Sequence, residues 1–164
     1  MGCLQTINVP ILVVINHIDT KNYFDNIIKN CKKRKINNQK VELNIQYFNP
    51  AKEKTKTFDK NIFVVLFIYE AGSRGDFDEI GKNYEIINEF FPQIEKVILG
   101  FKISDGLKII SDDDVVKLKV NIKAPFYYAE NPELINKYID EIVGKVLKNK
   151  KNESGEDGKG CLDC

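Results

Sequence analysis

Residues 11–22 read ILVVINHIDTKN, and the architecture of the chain can be predicted outward from them. The uniformly apolar run 11–15 is typical of a central strand that is covered on both faces. Residues 22–34 then carry apolar side chains at helical spacing, with Asp19 or Thr20 available as the helix cap. The basic run at residues 31–35 closes this helix, where it either complements the helix C-terminus or forms a patch for acidic lipids or a partner.

The rest of the chain repeats this alternation of strand and helix. Four more strands are predicted from apolar or alternating runs, at residues 41–47, 61–69, 96–101 and 125–128. Three more helices are predicted from amphipathic spacing or a capping start, over residues 77–91, from Ser111 and from Asn131. The pattern predicts one α/β domain, a three-layer sandwich in which helices cover both faces of a mostly parallel sheet.

The turn from Ile15 to Asn22 has the length of a phosphate-binding loop of the form GxxxxGK[ST]. In such a loop, glycines let the backbone N–H groups face the phosphates, and the Ser or Thr hydroxyl ligates Mg²⁺. Here Ile15 and Thr20 stand at the glycine positions, Asn22 stands at the Ser/Thr position, and only Lys21 matches. Because a β-branched side chain disfavours the conformations that glycine supplies, tight phosphate binding is not expected.

Three further segments carry a resemblance to a known family. They are FVVLFIY at residues 63–69 followed by Phe77 and Ile80, VILG at residues 97–100, and APFYYA at residues 124–129. In this order and spacing, residues 11–147 resemble the Ras/Rab-type small GTPases. The resemblance implies a P-loop NTPase fold of the small-GTPase kind.

The chemical motifs of that family are largely replaced in this chain. The DxxG motif falls on residues 48–51, which lack both its carboxylate and its glycine. The guanine-reading NKxD motif falls on residues 101–104, and the SAK loop survives only as one alanine. By resemblance, the remaining nucleotide-binding candidates are Lys21, Asn22, Lys102, Asp105 (displaced by one position) and Ala129. The resemblance implies no catalytic residue and no metal ligand.

The interval between Lys21 and Phe48 is too short for the switch segment and edge strand that the family places there. The prediction is therefore a sheet that lacks this edge strand and has no threonine to close on a γ-phosphate. Residues 41–47 would then form an exposed edge, to which a partner or residues 4–9 could add by β-augmentation. The alternative is a short edge that Lys40 and Glu42 protect from pairing.

Both termini carry candidate lipidation signals. The N-terminal segment 1–10 begins MGCLQT, which fits myristoylation at Gly2 with palmitoylation at Cys3. Residues 148–164 are polar and predict a disordered tail, whose Cys161 and Cys164 have the outline of a prenylation box. These signals predict a location at the cytoplasmic face of a membrane, with a soluble pool in the cytosol.

Composition limits the remaining classes of function. A formal net charge of +1 does not favour nucleic acid as a partner, and the single histidine excludes a His-rich metal site.

The expected function is a membrane-associated binding module in trafficking or signalling that needs no cofactor and binds protein partners through a sheet edge or helices. The alternatives are a divergent but active switch that binds GTP or GDP with Mg²⁺, and a GTPase-like subunit stabilised by a larger complex.

Overall fold

The computed structural model describes residues 5–53, 57–58, 61–103 and 107–156. The strands are β1 (Ile7–Val14), β2 (Lys33–Ile36), β3 (Gln39–Phe48), β4 (Val64–Glu70), β5 (Glu95–Phe101) and β6 (Phe126–Ala129). The helices are α1 (Ile18–Ile28), α2 (Arg74–Asp78), α3 (Ile80–Phe90), α4 (Asp112–Asn121) and α5 (Pro132–Glu156), with a short 3₁₀ turn at Lys29–Cys31.

The strands form one sheet in the order β2-β3-β1-β4-β5-β6. All neighbouring pairs are parallel except β2 with β3, which is antiparallel. The predicted α/β class and mostly parallel sheet are therefore confirmed. We call the end of the molecule where the parallel strands begin the amino pole, and the end where they finish the carboxyl pole.

Alternate side chains of the strands enter two separate cores. On one face, Val9, Ile11 and Val13 of β1 pack with α1 and with the apolar stripe of α5 from Ile135 to Leu147. On the other face, Leu12 and Val14 pack with residues from α2, α3 and the segments that flank α4. Helices on both faces explain why β1, β4 and β5 read as continuous apolar runs.

The prediction that the sheet lacks an edge strand between Lys21 and Phe48, which would leave residues 41–47 as an open edge, is wrong. β3 is paired on both sides, by β1 and by the edge strand β2, whose residues the helical pattern places at the end of the first helix. β2 and β3 are joined by a two-residue hairpin at Asn37 and Asn38, whose φ angles are 50° and 63°. Asparagine tolerates this left-handed conformation, which matches the twist of a hairpin.

Arg34 fixes the edge strand to the helical layer. Its guanidinium donates hydrogen bonds to Asp140 Oδ1 at 2.8 Å and to Asn136 Oδ1 at 2.9 Å on α5, and its Nε donates to the carbonyl of Cys31. The helix predicted over residues 22–34 accordingly ends early, because residues after Lys32 gain both sheet pairing and these bonds.

Two predicted boundaries also differ from the structure. Residues 7–10 of the predicted N-terminal segment belong to β1, where Ile7, Asn8 and Val9 pair with Val41, Glu42 and Leu43. At the other end, α5 continues through Glu156, beyond the domain boundary predicted at Leu147. The remainder of the predicted tail, residues 157–164, lies outside the described part of the chain.

Candidate functional site

The carboxyl pole between β1 and β4 is where this sheet reverses its strand order. The chain leaves β1 towards β2 and β3 on one side, and leaves β4 towards β5 and β6 on the other. In open α/β sheets, ligands bind in the crevice that such a reversal creates beyond the strand ends. The loop that follows β1, with the start of α1, is therefore the candidate site.

The β1–α1 turn places a helix N-terminus in this crevice. His17 is the N-cap residue of α1 in extended conformation, and its side chain makes no capping hydrogen bond. The backbone N–H groups in the first turn of a helix have no intrahelical partner and attract anions. Asp19 already supplies a negative charge within this turn, so a phosphate there would meet an acidic neighbour.

Thr20 ties α1 to a buried carboxylate. Its hydroxyl donates a hydrogen bond of 2.6 Å to Oδ2 of Asp76, which also accepts from the backbone N–H of Glu70 at 3.2 Å. Asp76 is fully buried and Thr20 is nearly so. Oδ1 of Asp76 has no hydrogen-bond partner among the described residues. A threonine at the position of the second cradle glycine thus points into the protein, towards a buried carboxyl group.

Three asparagines extend this network across the crevice. Asn16 donates to the carbonyl of Asp76 at 3.1 Å and accepts from Nδ2 of Asn83 at 2.7 Å. Asn49, at the end of β3, donates to the carbonyl of Asn16 at 3.3 Å. The loops after β1, β3 and β4 are therefore bound to one another. We call Asn16, Thr20, Asn49, Asp76 and Asn83 the crevice network.

The structure places clefts on both sides of the crevice network. A cleft of about 400 Å³ is lined by Ile15, Ile18, Lys21, Tyr47, Asn49, Lys52 and Glu53. Within it, the Lys21 ammonium lies 5.0 Å from the centre of the Tyr47 ring. The Tyr47 hydroxyl donates to Asp25 at 2.8 Å, and burial together with this carboxylate raises the pKa of Tyr47 above its ordinary value.

The second cleft, of about 560 Å³, opens on the β4 side. It is lined by His17, Asp19, Thr20, Glu70, Gly72, Ser73, Ile103, Leu107 and Ile109. The ionisable groups in this lining are one histidine and two carboxylates. Among these described residues there is no lysine or arginine, so the lining offers no such cationic side chain to an anionic ligand.

The structure does not gather the predicted nucleotide-binding residues into one site. Lys21 lines the first cleft, whereas Asn22 is exposed on α1. Lys102 follows the last residue of β5, Phe101, which pairs with the buried Ala129 at the end of β6. Asp105 lies outside the described residues, as do the candidate lipidation residues Gly2, Cys3, Cys161 and Cys164.

Asp76 was missed from the sequence, although a local signal exists. Ser73 accepts a hydrogen bond from the backbone N–H of Asp76, so Ser73 to Asp76 forms a helix-capping pattern directly after a buried strand. That pattern predicts a helix start at the carboxyl pole. The Asp76 side chain can be recognised as part of the candidate site only from the fold, which buries it against Thr20.

Within the described ranges, no group of three or more His, Cys, Asp or Glu side chains is placed to hold a metal ion. In the same part of the chain, each helix is too short or too polar to cross a bilayer. No family model matches the chain, and no curated protein matches it significantly.

Proposed function

We propose that this chain is a small-GTPase-like protein whose nucleotide site is closed by its own side chains, and which acts as a binding module at membranes in trafficking or signalling. The sheet supports the fold part of the proposal: it is parallel except for an antiparallel edge strand directly after α1. That is where the family resemblance places its edge strand.

The observation that carries the proposal is the bond between Thr20 and Asp76. A phosphate-binding loop needs free backbone N–H groups and an open approach without negative charge. Here the helix start carries Asp19, and Thr20 is bound to a second, fully buried carboxylate at 2.6 Å. The side chains of Asp19 and Asp76 bring carboxyl oxygens, which accept hydrogen bonds, to a place where a triphosphate needs donors.

The connection after α1 supports the absence of switching. Only the turn Lys29–Cys31 and Lys32 separate α1 from β2, and all four residues are described. This connection leaves no loop that could close on a γ-phosphate and reopen after hydrolysis. Partners would therefore contact the same conformation at all times, through the helices or through the edge strand β2, rather than through residues 41–47. Nucleic acid is not proposed as a partner.

Nucleotide binding is the direct test. A ligand present at a hundred times its dissociation constant stabilises the folded state by about 2.7 kcal/mol. We expect GTP and GDP with Mg²⁺ to leave the thermal unfolding midpoint unchanged, and freshly purified protein to release no guanine nucleotide on denaturation. Release of stoichiometric nucleotide would refute the proposal.

The alternative, a divergent active switch, is favoured by one observation. Lys21 and Lys52 both line the cleft of about 400 Å³, so this cleft offers two ammonium groups to an anion. If nucleotide does stabilise the protein, Lys21→Ala should abolish the effect and Lys82→Ala, on the exposed side of α3, should not. The cofactors would then be GTP or GDP with Mg²⁺.

The membrane part of the proposal rests on the terminal sequences. Acylation at Gly2 and Cys3, or prenylation at Cys161 and Cys164, would hold the protein at the cytoplasmic face of a membrane, with a soluble pool in the cytosol. A single lipid chain binds only marginally, so a second signal is needed for stable residence. Intact mass measurement on protein from its native cell should show at least one modified terminus.

A further inference from the structure

We infer that the amino pole of the folded domain is itself a docking surface for bilayers that contain acidic phospholipids. The inference rests on the proposed membrane association and names the surface that makes the contact. We call the following residues the amino-pole surface: Lys35, Lys40, Lys119, Val120, Lys123, Lys148, Lys150 and Lys151.

The topology brings these residues to one end of the molecule. The hairpin between β2 and β3 turns beside the start of β1, because Ile36 pairs with Gln39 and Ile7 pairs with Val41. The end of α5 reaches the same pole, since the Lys150 ammonium lies 4.1 Å from the centre of the Phe63 ring, directly before β4. Asn37 of the hairpin lies against Gly144 of α5.

The last turns of α3 and α4 also reach the amino pole. Phe91, directly after α3, accepts a hydrogen bond at its carbonyl from Lys96 near the start of β5. The segment after α4 leads into Pro125, whose carbonyl accepts from the Ile98 N–H at the start of the β5–β6 pairing. Val120 in the last turn of α4 is 80% exposed, whereas the Phe90 ring packs on the Phe58 ring, with the two ring centres 5.5 Å apart, and faces a cleft along α3.

Lys35 and Lys40 are paired in a way that costs stability. They lie directly opposite each other in the antiparallel hairpin, and like charges in this position repel. Neither forms an ion pair within the described residues. An acidic group at either position would stabilise the hairpin. Two lysines there are explained if the pair binds negative charge outside the protein.

A bilayer fits this surface better than an acidic protein does. Lys119 and Lys123 flank the exposed Val120 in the sequence, so they can bind headgroups while Val120 enters the interfacial region. The acids at or near this pole are Glu42, Glu89, Glu95 and Glu153, together with Asp140 and Glu141, which line a groove with Lys35 and Lys148. Asp19 and the run Asp112 to Asp114 lie at helix starts on the opposite pole. An anionic membrane surface therefore attracts one pole of the molecule and repels the other.

The ends of the described chain agree with this orientation. Thr6 directly precedes β1, and Glu156 ends α5 beyond Lys150, so both lie at the amino pole. The candidate lipidation residues lie a few positions outside these ends. Lipid chains at either terminus and the amino-pole surface could then contact the same bilayer, which supplies the two signals that stable residence requires.

Flotation of the unmodified full chain with vesicles tests the surface apart from lipidation. We expect binding to phosphatidylcholine vesicles that contain phosphatidylserine, loss of this binding at high salt, and none to phosphatidylcholine alone. Lys35→Glu should weaken the partition, because it reverses one charge of the amino-pole surface. Lys35→Glu/Lys40→Glu should weaken it by about tenfold or more.

The matched control is Lys82→Glu/Lys117→Glu, which makes the same change of charge on exposed faces of α3 and α4. Equal weakening in the control would overturn the inference, since total charge alone would then explain binding. If the protein floats no more than background with either kind of vesicle, the inference is also overturned, and an acidic protein becomes the expected partner of this surface. Neither result affects the proposed function, which is tested by nucleotide release and by the mass of the native termini.

Discussion

At the scale of single residues, the bond between Thr20 and Asp76 is the feature that most affects stability and function together. Replacing Thr20 by Val keeps the shape of the side chain but removes the donor to a fully buried carboxylate. Hydrogen bonds to charged groups contribute about 1.5–3 kcal/mol, so we expect a loss of this size in urea unfolding.

The conservative change Thr20→Ser serves as the control for this prediction. It keeps the hydroxyl and should retain most of the free energy of unfolding. If Thr20→Val proves as stable as the native chain, Asp76 has another donor in solution, and the argument that Asp76 closes the crevice fails.

Gly100 is the second position where one residue sets the packing. A Cβ atom there would overlap the ring of Tyr69, which is buried and pairs with Gly100 in the β4–β5 register. Overpacking of a close-packed core costs about 1–3 kcal/mol, and we expect Gly100→Ala to reduce the free energy of unfolding by an amount in this range.

Gly81 in α3 provides the contrast, because no atom lies within 4 Å of an added Cβ atom. Gly81→Ala should raise stability by up to about 1 kcal/mol, since alanine is the better helix former. Equal effects of the two alanines would show that β4 and β5 are less tightly packed than the structure indicates.

At the scale of elements, the sequence was informative where burial sets the pattern. The strands β1, β4 and β5 were predictable because both of their faces are covered. The start of α5 was predictable because Asn131 is a capping residue, and its Oδ1 accepts a hydrogen bond of 2.9 Å from the Leu134 N–H. The edge strand β2 was not predictable. Its three basic residues followed by one isoleucine show no strand pattern, and the Arg34 bonds that fix it reach residues 102 and 106 positions away.

The same limit applies to the crevice. Sequence comparison with the phosphate-loop pattern could show which groups were missing, but it could not show what had replaced them. Asp76 and Asn83 reach Thr20 and Asn16 only through the fold.

The start of α4 gives a prediction about pH. Ser111 and Asp114 form a capping box, and hydrogen bonds from the Ser111 backbone and side chain, followed by Arg74, lower the pKa of Asp114 to about 2. A carboxyl whose pKa is lower in the folded state stabilises the fold above its unfolded pKa and loses this effect as the pH falls. The contribution of Asp114 should therefore disappear between about pH 4 and pH 2.

Ser111→Ala removes the side-chain part of this capping. We expect the pKa of Asp114 to rise towards its ordinary value, and the plot of unfolding free energy against pH to become shallower between about pH 4 and pH 2. Asn131→Ala removes a cap from α5 instead and should leave this slope unchanged. An identical slope in Ser111→Ala would mean that the backbone N–H of residue 111 and Arg74 set the pKa of Asp114 without the Ser111 hydroxyl.

At the scale of the whole molecule, α5 divides into a part that belongs to the core and a part that extends past it. Ile142, Val143, Val146 and Leu147 are buried against the sheet, whereas residues 148–154 are exposed. A chain that stops after Leu147 loses one cation–π contact of about 0.5–1 kcal/mol, between Lys150 and Phe63, and should unfold within a few degrees of the full chain.

A chain that stops after Ile139 should not fold. Burial of each large apolar side chain contributes about 1.5–3 kcal/mol, so removing four such side chains approaches the whole stability of a typical domain, about 5–15 kcal/mol. Thermal unfolding followed by circular dichroism separates the two truncations. Loss of the cooperative transition in the chain that ends after Leu147 would show that the last turns of α5 hold the fold together. The lysines of these turns would then not be free to face a membrane.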